Sequence, residues 1–272
     1  MGDGLTSKVD DAYEWLLEVL NCGNDGKDVD IVGFSRGAAA AMHFANRVVD
    51  GRFDREHSGR IRFIGLWDTV PSIGFMHGDG GLNIDLPPGP ERSRIFHAMS
   101  IDEDREDFTL RRIVGAHEVW FAGAHSDVGG GYSVLERGLS NAAFRWMVFH
   151  ARQLKVPLAP VPMRDYTTFK YINNDFRRNG NVVVHDEIES NWIMGLTQDR
   201  VPRQIKKGDQ IHISAGMAYY DPFIIREQQS EGFAAKLKSI IRHRFPGTKI
   251  NTDDGLGWIT QPFDYRQYND TI

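Results

Sequence analysis

The sequence predicts an α/β fold: a mostly parallel sheet with flanking helices. Three observations carry this. Short apolar runs at Val29–Phe34, Ile61–Trp67 and Glu118–Phe121 have strand length and end in Gly- or Asp-bearing turns. Segments with helical spacing lie between or around them, and strands that alternate with helices build βα units and a parallel sheet. The first strand also runs through Gly33-Phe34-Ser35-Arg36-Gly37 straight into Ala38 to Ala41, a strand–turn–helix junction with small residues packed behind it.

Taken in order, Val9, Ala12, Trp15, Leu16, Val19 and Leu20 recur at helical spacing, so a helix precedes the first strand. Asn21 to Lys27 reads as a polar loop, Arg36 to Val49 as the helix behind the turn, and Asp50 to Gly59 as a charged loop. Gly74 to Pro90 is rich in Gly and Pro and reads as a long loop, placed to act as a mobile cover over a site. Ile95 to Arg105 reads as a structural helix and turn carrying Asp/Glu–Arg pairs, with His97 as an alternate catalytic histidine. After the glycines at 129–131, a helix is expected from Ser140 to Lys155. In the last third, Val182–Val184 and Ile211–Ala215 read as strands, and Phe233, Leu237, Ile240 and Ile241 mark a helical stripe.

The bulk properties exclude several classes. A chain of 272 residues without internal repeats or a composition break reads as one domain over 1–272. A formal net charge of −5 offers no electrostatic basis for nucleic-acid binding. No apolar run approaches the ~20 residues that span a bilayer, and Met1-Gly2-Asp3-Gly4 is not the start of a cleaved signal peptide. Cys22 is the single cysteine, which removes internal disulfides and cysteine-based zinc sites. These features predict a cytoplasmic protein that needs no cofactor or metal, with export lacking a cleaved signal left open.

Gly33-Phe34-Ser35-Arg36-Gly37 fits the Gly-x-Ser-x-Gly nucleophile elbow. The turn is expected to demand small residues at both Gly33 and Gly37, and to lift the Ser35 hydroxyl off the sheet edge. The helix N-terminus beneath it presents N–H groups and positive potential to an oxyanion. The plainer alternative is that Ser35 only caps the helix.

A serine hydroxyl needs a histidine to take its proton and a carboxylate to orient that histidine. The strand-end order Ser, Asp/Glu, His is met twice: by Ser35, Asp68 and His125, and by Ser35, Asp127 and His185. Asp68 ends the second strand ahead of Thr69-Val70-Pro71, where a turn cap is the competing role. His125 lies among Gly123, Ala124 and the later glycines, a poor setting for core packing. Asp127 is alternatively a residue that bonds the N–H groups of its own loop.

Gly33-Phe34-Ser35-Arg36-Gly37-Ala38, Trp67-Asp68-Thr69-Val70, His97 to Glu103 with Arg105 and Phe108, and Val119 to Tyr132 resemble one family, in this order. It is the Tle1-like catalytic domain family of type VI secretion phospholipase effectors, of the α/β-hydrolase superfamily. The resemblance runs from about residue 5 to 155, and His-Ser-Asp-Val-Gly-Gly-Gly-Tyr at 125–132 is its most specific piece. It implies an α/β-hydrolase-like esterase acting on glycerophospholipids, with transient contact to a membrane surface. It assigns Ser35 as nucleophile, Asp68 as orienting acid and His125 as base, with the Arg36 N–H in the oxyanion hole. Family members usually carry further strands ahead of the elbow strand, with an Asp-Gly-Thr-type motif. Their lack here predicts an open sheet edge, completed by a homo-oligomer or a partner chain. It also motivates a second reading, a catalytically impaired member that serves as a binding or assembly module.

Overall fold

Among the described residues, six parallel strands form one sheet in the order β1-β2-β3-β4-β5-β6, the order of the chain. They are β1 (Asp28–Phe34), β2 (Arg60–Trp67), β3 (Ile95–Ser100), β4 (His117–Phe121), β5 (Gln210–His212) and β6 (Lys249–Asn251). The helices are α1 (Asp3–Asn21), α2 (Arg36–Asp50), α3 (His125–Gly129), α4 (Gly138–Gln153), α5 (Ala215–Ala218) and α6 (Phe233–Arg244). This computed structural model describes residues 3–21, 28–50, 60–71, 81–133, 136, 138–159, 184–188, 199–219 and 233–253.

The sheet is covered on both faces, which is why its strands read as apolar runs rather than as alternating patterns. Along β2, Ile64 and Leu66 pack with Ala38, Ala39, Met42 and Ala45 of α2. Phe63, one register position away, packs with Trp146 and Met147 of α4 on the opposite face. Ala38, Ala39, Ala41 and Ala45 of α2 are buried, and small side chains let that helix lie close to the strands. At the start of β1 and β2 the charges pair across the strands, Arg60 with Asp28 at 2.8 Å and Arg62 Nε with Asp30 at 2.9 Å. Among the described strands β1 lies at an edge of the sheet. No described helix is long and apolar enough to cross a membrane.

Several elements differ from the sequence reading. Ile95–Ser100 is a strand, not a helix: all its residues are buried between β2 and β4. A strand buried on both faces has no period-two signature, and Phe-His-Ala-Met carries no β-branched residue to mark it. The expected strand Ile211–Ala215 is shorter, ending at His212 before α5 begins at Ala215. Val184, described, has no strand geometry, and Val182 and Val183 lie outside the described residues. Positions 51–59 of the expected charged loop, and positions 74–80 of the expected cover, also lie outside them. The strand β6 was not foreseen; it is three residues long and pairs with β5.

Candidate functional site

The turn between β1 and α2 holds Ser35 at φ 59, in the left-handed region that non-glycine residues rarely adopt. Hydrogen bonds keep it there. The Ser35 N–H donates to Trp67 O at 3.0 Å, and Ser35 O accepts from Ala38 N at 3.0 Å and Val70 N at 3.4 Å. The elbow is therefore tied to the end of β2, the strand that delivers Asp68. The two flanking glycines are not equivalent, contrary to the symmetric expectation. A Cβ on Gly33 would lie 2.4 Å from Gly37 O, whereas a Cβ on Gly37 would meet no heavy atom within 4 Å. Close approach of the returning helix requires a bare Gly33; at Gly37 the side chain would point into open space. Ser35 is half-buried, and Arg36 is exposed at the start of α2.

Asp68 also has positive φ, 39°, and its N–H donates to Ala98 O at 2.8 Å. Its carboxylate is fully buried and fully engaged. Oδ1 accepts from the Ser100 N–H at 2.8 Å, and Oδ2 accepts from His125 Nδ1 at 2.7 Å. Arg203 donates to the two oxygens at 3.4 and 3.2 Å. Burial alone would push this carboxyl up. The guanidinium of Arg203, the His125 ring and the Ser100 N–H outweigh burial and hold it well below the usual carboxylate range.

His125 opens the one-turn helix α3 and is 4% exposed. Its N–H donates to Glu103 Oε2 at 3.1 Å, and Glu103 in turn accepts from Arg105 at 2.8 and 2.7 Å. The imidazole stands between two aromatic rings, Phe34 of the elbow at 4.4 Å and Phe108 at 5.0 Å between centroids. With Nδ1–H committed to Asp68, Nε2 is the nitrogen left with a lone pair, an assignment inferred from the hydrogen bonds. No hydrogen bond joins Ser35 Oγ to the ring among the described contacts; nucleophile and base commonly close up only with substrate.

The second set forms a pair of its own. His185 Nδ1 donates to Asp127 Oδ1 at 2.6 Å, and the backbone N–H groups of His185 and Ala124 donate to Oδ2 at 2.9 and 3.0 Å. Burial pushes the Asp127 carboxyl up, against the pull of His185. The His185 ring stacks on Tyr132 at 3.6 Å, whereas the ring against the elbow is that of His125. Asp127 thus fastens the 184–188 segment to α3. His97, the third histidine considered, is fully buried in β3. Its Nε2 accepts from the Thr69 N–H at 3.1 Å, so Nδ1 carries the proton and faces Glu118 at 3.2 Å. That pair braces the backbone beside Asp68, with the His97 ring fully buried.

Sequence reasoning missed Arg203, which lies 135 positions after Asp68 in the chain. The only available signal was electrostatic: a carboxylate at the end of a buried strand needs a cation, but nothing in Val201-Pro202-Arg203 says which one. Among the described residues, no group of three or more His, Cys, Asp or Glu side chains could hold a metal ion.

The parallel sheet, the left-handed serine at a strand–helix junction and the buried Asp–His pair define an α/β-hydrolase-like domain. Residues 45–150 match the family "T6SS, Phospholipase effector Tle1-like, catalytic domain", the family that the sequence resembles. A stretch of 77 residues is 34% identical to the uncharacterised protein YEL023C of Saccharomyces cerevisiae, covering 27% of this chain and 11% of that one. Among solved structures, the Tle1 effector bound to the VgrG spike from the type 6 secretion system is 37% identical, with a TM-score of 0.38. That likeness covers 48% of this chain and 31% of the effector chain, so this chain spans less than a third of the length of either relative.

Proposed function

We propose that this chain is a serine ester hydrolase of the phospholipase type and that it acts as a type VI effector domain. Ser35 attacks the ester carbonyl while His125 Nε2 takes its proton. Asp68 holds the ring in the tautomer that leaves Nε2 free and stabilises the imidazolium that forms. The Arg36 N–H, at the start of α2, donates to the developing oxyanion. His125 returns the proton to the departing alcohol, and the acyl-Ser35 ester is then hydrolysed by water that gives its proton to the same nitrogen.

One observation carries this reading. The Asp68–His125 pair at 2.7 Å presents its ring against Phe34, the neighbour of Ser35 in the elbow. The lipid class of the substrate rests on the family match over residues 45–150. The role of Asp127 and His185 as an alternative base system is disfavoured by the stacking of His185 on Tyr132.

The test uses the folded protein with a fluorophosphonate probe and with phospholipid vesicles. Covalent labelling at Ser35 and fatty-acid release are expected, both abolished by Ser35→Ala and His125→Ala and both retained by His185→Ala. Absence of labelling in folded protein refutes the serine mechanism. Labelling without release from any phospholipid leaves an esterase and refutes the lipid assignment.

A further inference from the structure

The buried ion pair of Arg203 with Asp68 has consequences for the base rather than for the acid alone. The Arg203 side chain is 7% exposed, and one of its nitrogens, Nη2, donates both to Asp68 Oδ2 at 3.2 Å and to Phe108 O at 2.7 Å. Asp68 and Phe108 are two of the groups that touch the His125 ring. The segment carrying Arg203 is itself fastened beside them. Val201 N donates to Asp104 O at 2.6 Å, Glu106 N donates to Asp199 O at 3.2 Å, and Arg105 and Arg200 form an antiparallel bridge. The Arg105 guanidinium lies 3.4 Å from the centroid of the Phe108 ring, closing the far side.

The charges around His125 are balanced in pairs. Glu103, on the His125 N–H, is neutralised by Arg105; Asp127 in α3 is engaged by His185; Asp68 is neutralised by Arg203. Resting on the serine-hydrolase reading, we propose that Arg203 is a positioning residue that orients Asp68 and Phe108 on His125 and lowers the pH at which His125 becomes free to act as base. An unbalanced Asp68 carboxylate would orient the ring equally well but would hold the imidazolium against deprotonation. The guanidinium offsets that pull while keeping the hydrogen bond, because its field opposes that of the carboxylate at the imidazole. A planar fork can grip a carboxylate and a carbonyl together, which a lysine ammonium does less well.

The experiment compares the wild type with R203M, R203Q and R203K. It reads the rate of fluorophosphonate labelling of Ser35 from pH 5 to 9, and the NMR titration of the His125 ring in the same variants carrying Ser35→Ala. The neutral variants are expected to move the half-maximal pH of labelling and the titration midpoint upward by about one unit. R203K is expected to keep the midpoint within a few tenths of the wild type and to label roughly tenfold more slowly. If the midpoints do not move in the neutral variants, the inference fails. If R203K shifts as far as R203M, charge is not the cause and the inference fails. If neither neutral variant folds while R203K does, Arg203 is a structural counterion and the inference also fails. A wild type that never labels sinks the hydrolase reading instead, and an upward-shifted NMR midpoint still supports the electrostatic role of Arg203.

Discussion

Replacing Gly33 by alanine tests how the elbow is built. An added Cβ would lie 2.4 Å from Gly37 O and 2.7 Å from both Gly37 C and Ala38 Cα. All three atoms are backbone, so no side chain can swing away. Ordinary carbon contacts begin near 3.5 Å, so the first turn of α2 must retreat from β1 by about 1 Å. Overpacking of this kind destabilises by about 1–3 kcal/mol. For a domain of this size that lowers the melting temperature by about 2–5 °C. The same retreat carries Ser35 with it, and a misplacement of about 1 Å slows a positioned reaction roughly a hundredfold. Gly37→Ala is the control. A Cβ there meets nothing within 4 Å, and alanine in place of a helical glycine stabilises by about 0.5–1 kcal/mol. Circular-dichroism melts and probe-labelling rates for the two variants read both effects. If Gly33→Ala melts and labels like the wild type, or if Gly37→Ala is the more damaging change, the packing argument is wrong.

Three further predictions concern the surroundings. A Cβ on Gly129 would fall 2.1 Å from the Phe34 ring, so Gly129→Ala should displace the ring that lies tilted against His125 and slow Ser35 labelling more than tenfold; an unchanged rate would mean that Phe34 does not locate the imidazole. Asp68→Asn should lower ester turnover by roughly 10³–10⁴-fold by unsettling the tautomer of His125; steady-state kinetics showing a loss below tenfold would remove Asp68 from the mechanism. Burial depresses His150 to about 4 and His212 to about 3. Both are neutral in the fold while the unfolded chain takes up protons near pH 6.5, so stability should fall as pH drops from about 6.5 toward 4, by about 2–3 kcal/mol for each. Urea melts across that range should show a shallower fall in His150→Phe, whose ring keeps the stack on Phe96 at 4.3 Å; an identical slope would show that His150 does not contribute.

The readable parts of this chain were those whose signal is local. The elbow is written in five consecutive residues because its turn geometry is a short-range steric problem. β1, β2, β4, α2 and α4 followed from apolar runs and helical spacing over single segments. β3 was misread because a six-residue strand buried on both faces carries no periodicity, and its central His97 suggested chemistry where the structure shows a brace. β5 and β6, three residues each, are too short to show a pattern and exist as strands only through their neighbours.

The sequence by itself determined the α/β class, the place of Ser35, and a short list of acids and histidines in a workable order. Strand-end order offered both Asp68–His125 and Asp127–His185, with the family resemblance favouring the first, and the tertiary structure forms both pairs, at 2.7 and 2.6 Å. Only the fold decides that the His125 ring lies against the elbow while the His185 ring lies on Tyr132. It alone brings Arg203 to the buried carboxylate, and it alone separates Gly33, which has no room, from Gly37, which has ample room. The physical reason is range. Backbone turns and helical faces are set by neighbours in the chain, whereas the partner of a buried charge and the space around a glycine are set by whatever the fold packs there.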